Sequence, residues 1–439
     1  MLREDQMSEI ERRTMSKVSW RLVPFLMLCY FIAYLDRVNL SFAGGPMSKD
    51  LGFSASVFGG AAGVFFIAYF FFEVPSNMAL DKIGARIWIA RIMFTWGLIA
   101  GGLAFVQGQT SLYVLRVLLG VAEAGFFPGV IFYLTLWFPS AYRGRIVGLF
   151  MFAVPISTVI GSPISGALLD LDGAMGLHGW QWMFIIEAIP ALLLSVVVFL
   201  YLTDRPAKAT WLDDDERAWI KDRLEAEEAT RQRHGAISWV RSLIDPRILA
   251  LGVVYMACTI PLYGLSFFLP QIVKAFGITN VQAGFVTAIP YAVGAVAMIF
   301  WGRHSDATGE RKWHAILPLL AVVVGLLGAT STVDPTFKMA WLCIAGAGFF
   351  SVFPVFWTLP TAFLNASSAA TGIAAVNSIG NLGGYFGPQV FGLLKDKTGG
   401  DTASLYFLAG CALVGVVIVF VMGHNPALEQ PVEKHAATQ

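Results

Sequence analysis

The sequence predicts an all-α membrane protein: twelve transmembrane helices in two pseudo-symmetric six-helix bundles, with both termini cytoplasmic. Composition, the spacing of apolar stretches and the placement of Lys and Arg predict it. Of 439 residues, 56% are hydrophobic and 13% are charged, against ~25% charged in an average soluble domain. Phe contributes 35 residues, and mean hydropathy is +0.67. So few charges leave most of a soluble surface greasy. A cytosolic enzyme, a disordered chain and a nucleic-acid binder are therefore excluded. A net charge of +1 gives no excess field for a polyanion. Cys29, Cys258, Cys343 and Cys411 sit singly in apolar stretches, so neither a disulfide framework nor a zinc site is indicated.

A bilayer-crossing helix needs ~20 mostly apolar residues. Reading on that scale places spans 1 to 6 near 20–42, 55–80, 87–106, 111–138, 145–169 and 180–202. Spans 7 to 12 follow near 248–273, 279–302, 313–332, 339–363, 368–394 and 403–423. Strand-type alternation is absent, which argues against a barrel. Residues 1–19 form a polar cytoplasmic tail, 203–247 a cytoplasmic central loop and 424–439 a second cytoplasmic tail. The six-helix bundles are thus 20–202 and 248–423. With the N-terminus inside, 23 of the 30 Lys and Arg fall on the cytoplasmic side. Five (Lys49, Lys274, Lys338, Lys395, Lys397) fall outside, and Arg37 and Arg116 lie within spans. That asymmetry sets the orientation and predicts a multi-pass protein of the plasma membrane, the inner membrane in a bacterium.

In the central loop, Asp213 and Glu216 read as a helix N-cap with a capping box. The run Asp213-Asp214-Asp215 reads as a solvated helix start rather than a metal site. The two halves repeat. Asp81, Gly84 and Arg86 after span 2 return as Asp306, Gly309 and Arg311 after span 8, all offset by 225 residues, as are Pro163 and Pro388. Two parallel halves from one duplication are a transporter architecture. The repeated loop pairs a tight-turn glycine with charges suited to helix dipoles, and predicts a clasp that breaks and re-forms as the halves rock.

These residues resemble the signature loop of the major facilitator superfamily, with Asn77 in place of its leading glycine and Gly302 keeping it in the second copy. Span 1 carries Tyr34-Leu-Asp36-Arg37-Val-Asn39-Leu40. Span 4 runs from Arg116 through Gly120, Glu123 and Gly125 to Pro128-Gly129, and span 6 holds Trp180, Trp182, Glu187 and Pro190. These strings resemble the anion:cation symporter family, in particular its permeases for hydroxyphenylacetate, tartrate and phthalate-type acids. The resemblance implies that spans 1 and 4 are neighbours, with Arg37 for a carboxylate, Asp36 and Glu123 for protons, and Arg116 as the partner of Glu123.

The residues themselves point the same way. Charges within spans are costly and mark function. Here they are Asp36, Arg37, Glu73, Arg116, Glu123 and Glu187, all in the first half. Asp36 and Arg116 each lie six residues from an outer span end, so ~9 Å deep at 1.5 Å per residue. Glu123 lies two turns beyond Arg116 on the same face. Two acids and two bases in one vertical cluster make burial tolerable. Arg37 suits a carboxylate bidentately. An acid left unpaired when the cations change partner takes a proton. Glu73 reads as part of the cytoplasmic clasp, and Glu187 as a helix-end anchor.

The second half must then supply neutral polar contacts. Span 11 offers Asn377 and Asn381 and span 10 offers Trp357; Asn377 and Trp357 fall where resembling permeases bind substrate, while Tyr34 and Tyr69 donate from the first half. There is no phosphate loop, and neither a cofactor nor a metal is expected. The expected partners are a small organic anion, protons and the lipid bilayer, with no nucleic acid, and a monomer is expected. The sequence thus predicts proton-coupled import of an organic carboxylate, an aromatic or hydroxy acid. The alternatives weighed are an uncoupled anion facilitator or exchanger, and a transporter-like ligand sensor, which would need an output domain.

Overall fold

The computed structural model describes residues 4–232, 246–357 and 366–422. The tail 424–439, part of the central loop and the inner end of span 10 lie outside the described residues. Among the described residues eleven helical runs are long and apolar enough to cross a membrane. Span 1 is the helix Glu4–Leu51, span 2 Ala55–Ile83, span 3 Ala85–Gly102 and span 6 Gly179–Tyr201. Span 4 is Gln109–Glu123 followed by Phe126–Thr135, and span 5 is Ser140–Met151 followed by Ala153–Leu168. Spans 7 to 10 are Pro246–Lys274, Asn280–Thr308, Lys312–Thr330 and Pro335–Phe356, and span 12 is Thr402–Val421.

Span 11 is the one that length alone does not find. It consists of two 16-residue pieces, Ala366–Asn381 and Gly383–Thr398, each short of the ~20 residues a crossing needs. They meet at Leu382, whose N–H closes a tight three-residue turn on Ile379 O at 3.2 Å. Small residues follow because neighbours press close. A Cβ on Gly383 would lie 2.1 Å from Thr259 Oγ1 of span 7, and one on Gly384 would lie 2.5 Å from the Phe66 ring of span 2.

The polar segment 1–19 is not a separate tail over its described part, since the helix of span 1 runs unbroken from Glu4. Its extension lies against the central helix Asp214–Gln232. Arg13 donates to Asp215 at 2.7 Å and to Glu216 at 2.8 Å, and Lys17 donates to Asp213 at 3.0 Å. The Asp213 N–H also donates to Glu216 at 3.0 Å, one half of the capping box, while the Glu216 N–H turns to Asp215 at 3.0 Å. The acidic run thus holds a basic helix rather than a cation from solution. The Lys17 ammonium, with help from Arg13 and Arg217, draws the Asp213 carboxyl below its ordinary range.

The duplication is visible in packing. Span 3 packs on span 6 as span 9 does on span 12, and span 2 on span 4 as span 8 does on span 10. The halves meet through spans 2 and 11 and, symmetrically, through spans 8 and 5. The same close approaches recur one repeat apart. A Cβ on Gly59 would lie 2.2 Å from Pro388 O, and one on Gly284 would lie 2.5 Å from Ser162 O. A Cβ on Gly166 would lie 2.5 Å from Asn280 O, and one on Gly392 would lie 2.2 Å from Ala55 O. These contacts need backbone against backbone, which is the use of small residues between membrane helices.

Every one of these contacts lies in the outer half of the bundle, and hydrogen bonds close the same face. Asp396, at the end of span 11, accepts from the backbone N–H groups of Ala55 and Ser56 at 2.9 and 2.8 Å. It thereby caps the first turn of span 2, where a helix N-terminus favours a carboxylate. At the symmetric place, Asn280 of span 8 donates to Asp170, just past span 5, at 2.8 Å. The outer face is thus latched at two symmetric places.

Candidate substrate and proton site

Span 4 is interrupted where its acid stands. The first helix ends at Glu123, Ala124 leaves helical geometry, and Gly125 has φ +87 before a new helix starts at Phe126. Only glycine adopts that angle readily, and a Cβ there would lie 2.3 Å from Ser76 Oγ. A broken helix within a membrane occurs where it lines a site or is buried in protein. The sequence reading treats span 4 as continuous. Gly125 and Pro128, flanking two Phe, are the signal it passes over.

Arg37 donates to Glu123, forming a buried ion pair across spans 1 and 4. The Arg37 side chain is 12% exposed and that of Glu123 is 2% exposed. The guanidinium lies 5.6 Å from the Tyr34 ring, 5.3 Å from Phe65 and 5.8 Å from Tyr69. Tyr34 and Tyr69 therefore belong to the Arg37 surround, as the sequence expects. The cation keeps one face open and offers aromatic walls on the others.

Arg116 does not hold Glu123 in this structure. Its Nε donates to Ala61 O at 3.0 Å and Nη2 to Ala62 O at 3.3 Å, both on span 2. The cause is local. A Cβ on Gly120 would come within 2.4 Å of Phe65 O, so span 4 rides close over span 2 and the guanidinium meets main-chain carbonyls first. The Phe65 ring lies 4.9 Å from Arg116 as well as beside Arg37, and so sits near both cations.

Asp36 also leaves the expected vertical cluster. It accepts from Trp96 Nε1 of span 3 at 2.7 Å, its other oxygen has no partner, and the residue is buried. Adjacent residues on a helix point some 100° apart, so Arg37 and Asp36 cannot share one face. Asp36 faces the interior of the first bundle, on the side of Glu187.

From the second half, Trp357 packs edge-on against Tyr255 of span 7 at 4.9 Å. Tyr255 in turn lies where a Cβ on Gly380 would fall, between Asn377 and Asn381. Those two asparagines are half-buried on span 11. Trp357 thus sits against Tyr255, and the span 11 backbone at Gly380, next to Asn381, meets the same ring. Closer to the centre stands Tyr263, which sequence reasoning missed. Its ring is 4.6 Å from Phe66 across the interface, and it lies within electrostatic range of Arg37. Tyr255 and Tyr263 are eight residues apart and share a face of span 7, a spacing the sequence displays.

The loops behave as turns, with one substitution of partners. Gly84 has φ +102, and Gly309 has φ +71 and caps span 8 through Ser305 O at 2.9 Å. Asp306 pairs with Arg311 at 2.7 Å. In the first copy the acid at the start of span 3 is Asp204, which accepts from the Arg86 N–H at 3.0 Å. The Arg86 guanidinium lies over Phe199 at 5.1 Å. Asp81 is exposed and, among the described residues, makes no hydrogen bond or ion pair. Glu73 is buried on the inner half of span 2.

Residues 26–388 match the family model described as the Major Facilitator Superfamily. A protein of Agrobacterium vitis named "Putative tartrate transporter" is 50% identical, over 100% of this chain and 98% of its own length. A "Quinolone resistance transporter" of Acinetobacter baumannii is 42% identical, over 94% of this chain and 96% of its own length. Among solved structures, a bacterial homologue of the human lysosomal transporter Spinster, inward-facing and unoccupied, superposes with a TM-score of 0.73. It shares 18% identity and covers 94% of this chain and 96% of its own. The chain belongs to the Major Facilitator Superfamily, and it is a multi-pass membrane transporter and not an enzyme.

Proposed function

We propose that this transporter imports an organic carboxylate together with protons by alternating access. The observation that carries the reading is the ion pair itself. Arg37 is a partly accessible guanidinium among aromatic rings, and its present occupant is a carboxylate of the same protein. Glu123 therefore stands where a substrate carboxylate would bind. The two compete for one cation. When substrate takes Arg37, Glu123 is left buried without a counter-ion, and an isolated buried carboxylate is far costlier than its neutral acid. It then binds a proton, so anion and proton enter together. On the inner side the steps reverse: Glu123 loses the proton, recaptures Arg37 and ejects the anion.

Hydroxy dicarboxylates fit the surround, because Tyr34, Tyr69 and Tyr263 offer hydroxyl groups beside the cation. The Agrobacterium vitis relative, named for tartrate, agrees with that class. A latched outer face agrees with an inward-facing arrangement. The test is uptake into proteoliposomes with the voltage clamped and the outside acidified. Tartrate and other hydroxy acids are expected to accumulate above their external concentration. Equilibration without accumulation, whatever the pH gradient, identifies an uncoupled facilitator and overturns the reading. A quinolone belongs in the panel, given the Acinetobacter relative. Its coupled movement in place of hydroxy acids would overturn the substrate class.

A further inference from the structure

Behind span 1, on the side away from Arg37, lies a second group of buried polar atoms. Glu187 of span 6 is 2% exposed. It accepts from Ser165 Oγ of span 5 at 2.7 Å, and its other oxygen, facing Asn39, meets no donor in good hydrogen-bond geometry among the described residues. The Asn39 side chain lies beside it. Asp36, three residues before Asn39 and so on the same face of span 1, lies close enough for the two carboxyls to repel. Asp36 has one unpartnered oxygen as well. Glu123 is the further acid within range of Asp36. Among the described residues no Lys, Arg or His makes an ion pair with Glu187 or Asp36.

Two carboxylates in a low-dielectric interior with only neutral donors (Ser165, Asn39, Trp96) cannot both be ionised. A purely structural role would be better served by an amide or by apolar packing, since intramembrane acids are expensive and mark proton relays. Position adds to this. Span 6 enters from the outside at Gly179, so Glu187 lies ~12 Å in at 1.5 Å per residue. Asp36 lies at a similar depth and is adjacent in sequence to Arg37.

We propose that Glu187 is a second proton-binding carboxyl of the transport cycle, which with Asp36 keeps one proton at all times and binds and releases a further one in each cycle, in a site separate from the anion-binding pair. The further proton leaves water on the outer side and binds the free Glu187 oxygen, so that both acids are neutral, with exchange between Glu187 and Asp36 through the Asn39 side. It is released inward when Glu123 recaptures Arg37. No bond other than O–H is made or broken. The proposal rests on the coupled-import reading above and extends it from one acid to two.

Equilibrium accumulation separates them. At zero voltage each coupled proton multiplies the accumulation ratio about tenfold per unit of imposed pH gradient, because a tenfold ratio and one pH unit are each ~1.4 kcal/mol. In proteoliposomes, Glu187→Gln is expected to keep substrate affinity and counterflow exchange while losing one such tenfold factor per pH unit. Glu187→Asp, which keeps the acid, is expected to retain it. An unchanged ratio in Glu187→Gln overturns the proposal and leaves Glu187 as a structural acid. Absence of any pH-driven accumulation in the unsubstituted protein overturns the coupled-import reading instead. Should Glu187→Gln fail to fold, infrared difference spectra of the unsubstituted protein and Glu187→Asp supply the answer. A protonated-carboxyl band that responds to substrate and shifts in Glu187→Asp supports the proposal. A band that is silent to substrate, or identical in both, contradicts it.

Discussion

At the scale of single residues, the arrangement distinguishes two arginines that the sequence treats alike. Arg37 faces the cage and holds Glu123, whereas Arg116 donates to the carbonyls of Ala61 and Ala62. Arg37→Lys keeps the charge but loses the planar fork that suits a carboxylate. A charged hydrogen bond is worth ~1.5–3 kcal/mol, so substrate binding in this variant should weaken roughly 10- to 100-fold, read by calorimetry on purified protein. Unchanged affinity would mean that the anion binds elsewhere. Arg116→Lys should act differently. It removes the Nε donor to Ala61 within a closely packed contact and lowers the melting temperature, yet leaves substrate affinity near normal. A selective loss of affinity with normal stability would return Arg116 to the binding site.

At the scale of elements, a pair of outer latches joins the two halves. The Asp396 carboxyl is partly buried, which alone would raise it, but donors from Ser56, Ala55 and Ser54 outweigh burial and hold it below its ordinary range. A group lowered in the latched state stabilises that state above its unlatched pKa. The contribution disappears as pH falls through the lower, latched value. The latch therefore persists through neutral and mildly acid pH and yields only in strong acid. Asp396→Asn should imitate that acid state at neutral pH and shift the population toward an open outer face. Spin labels at Gln107 and Val333, on outer loops of opposite halves, should report a longer distance in the variant, and an unchanged distance distribution would contradict the latch. Gly59→Val should do the same by steric means, because its side chain would meet the Pro388 carbonyl. If Gly59→Val closes as fully as the parent protein, the close approach of spans 2 and 11 is not required for the inward-facing state.

At the scale of the molecule, span count, orientation and duplication were legible because a bilayer imposes length and charge rules on every helix. The offset that relates Gly84 to Gly309 also relates Gly59 to Gly284, so one repeat explains both the loops and the interface. Pairwise chemistry was less legible. The sequence placed Arg37 and Glu123 in one cluster, and the structure joins them. It could not show that a main-chain carbonyl would reach Arg116 before Glu123 did, since that depends on how closely span 4 rides over span 2. Asp36 and Arg37 were grouped by depth and by the resemblance, although adjacent helical residues diverge. Tyr263 was not legible as a site residue, because it carries no charge and its approach to Phe66 is a contact between the halves. The polar segment 1–19 looked like a tail because the central helix that holds it through Glu216 lies some 200 residues away.

The decisive comparison is between Glu123→Gln and the unsubstituted transporter in the same proteoliposomes, measured in two modes. The exchange of Glu for Gln removes a titratable group while keeping its size. Exchange of labelled for unlabelled substrate should persist in the variant, since Arg37 remains to bind the anion, while accumulation driven by an acid exterior should vanish. If pH-driven accumulation survives in Glu123→Gln at the level of the unsubstituted protein, competition between substrate and Glu123 for Arg37 is not how this transporter couples the two flows.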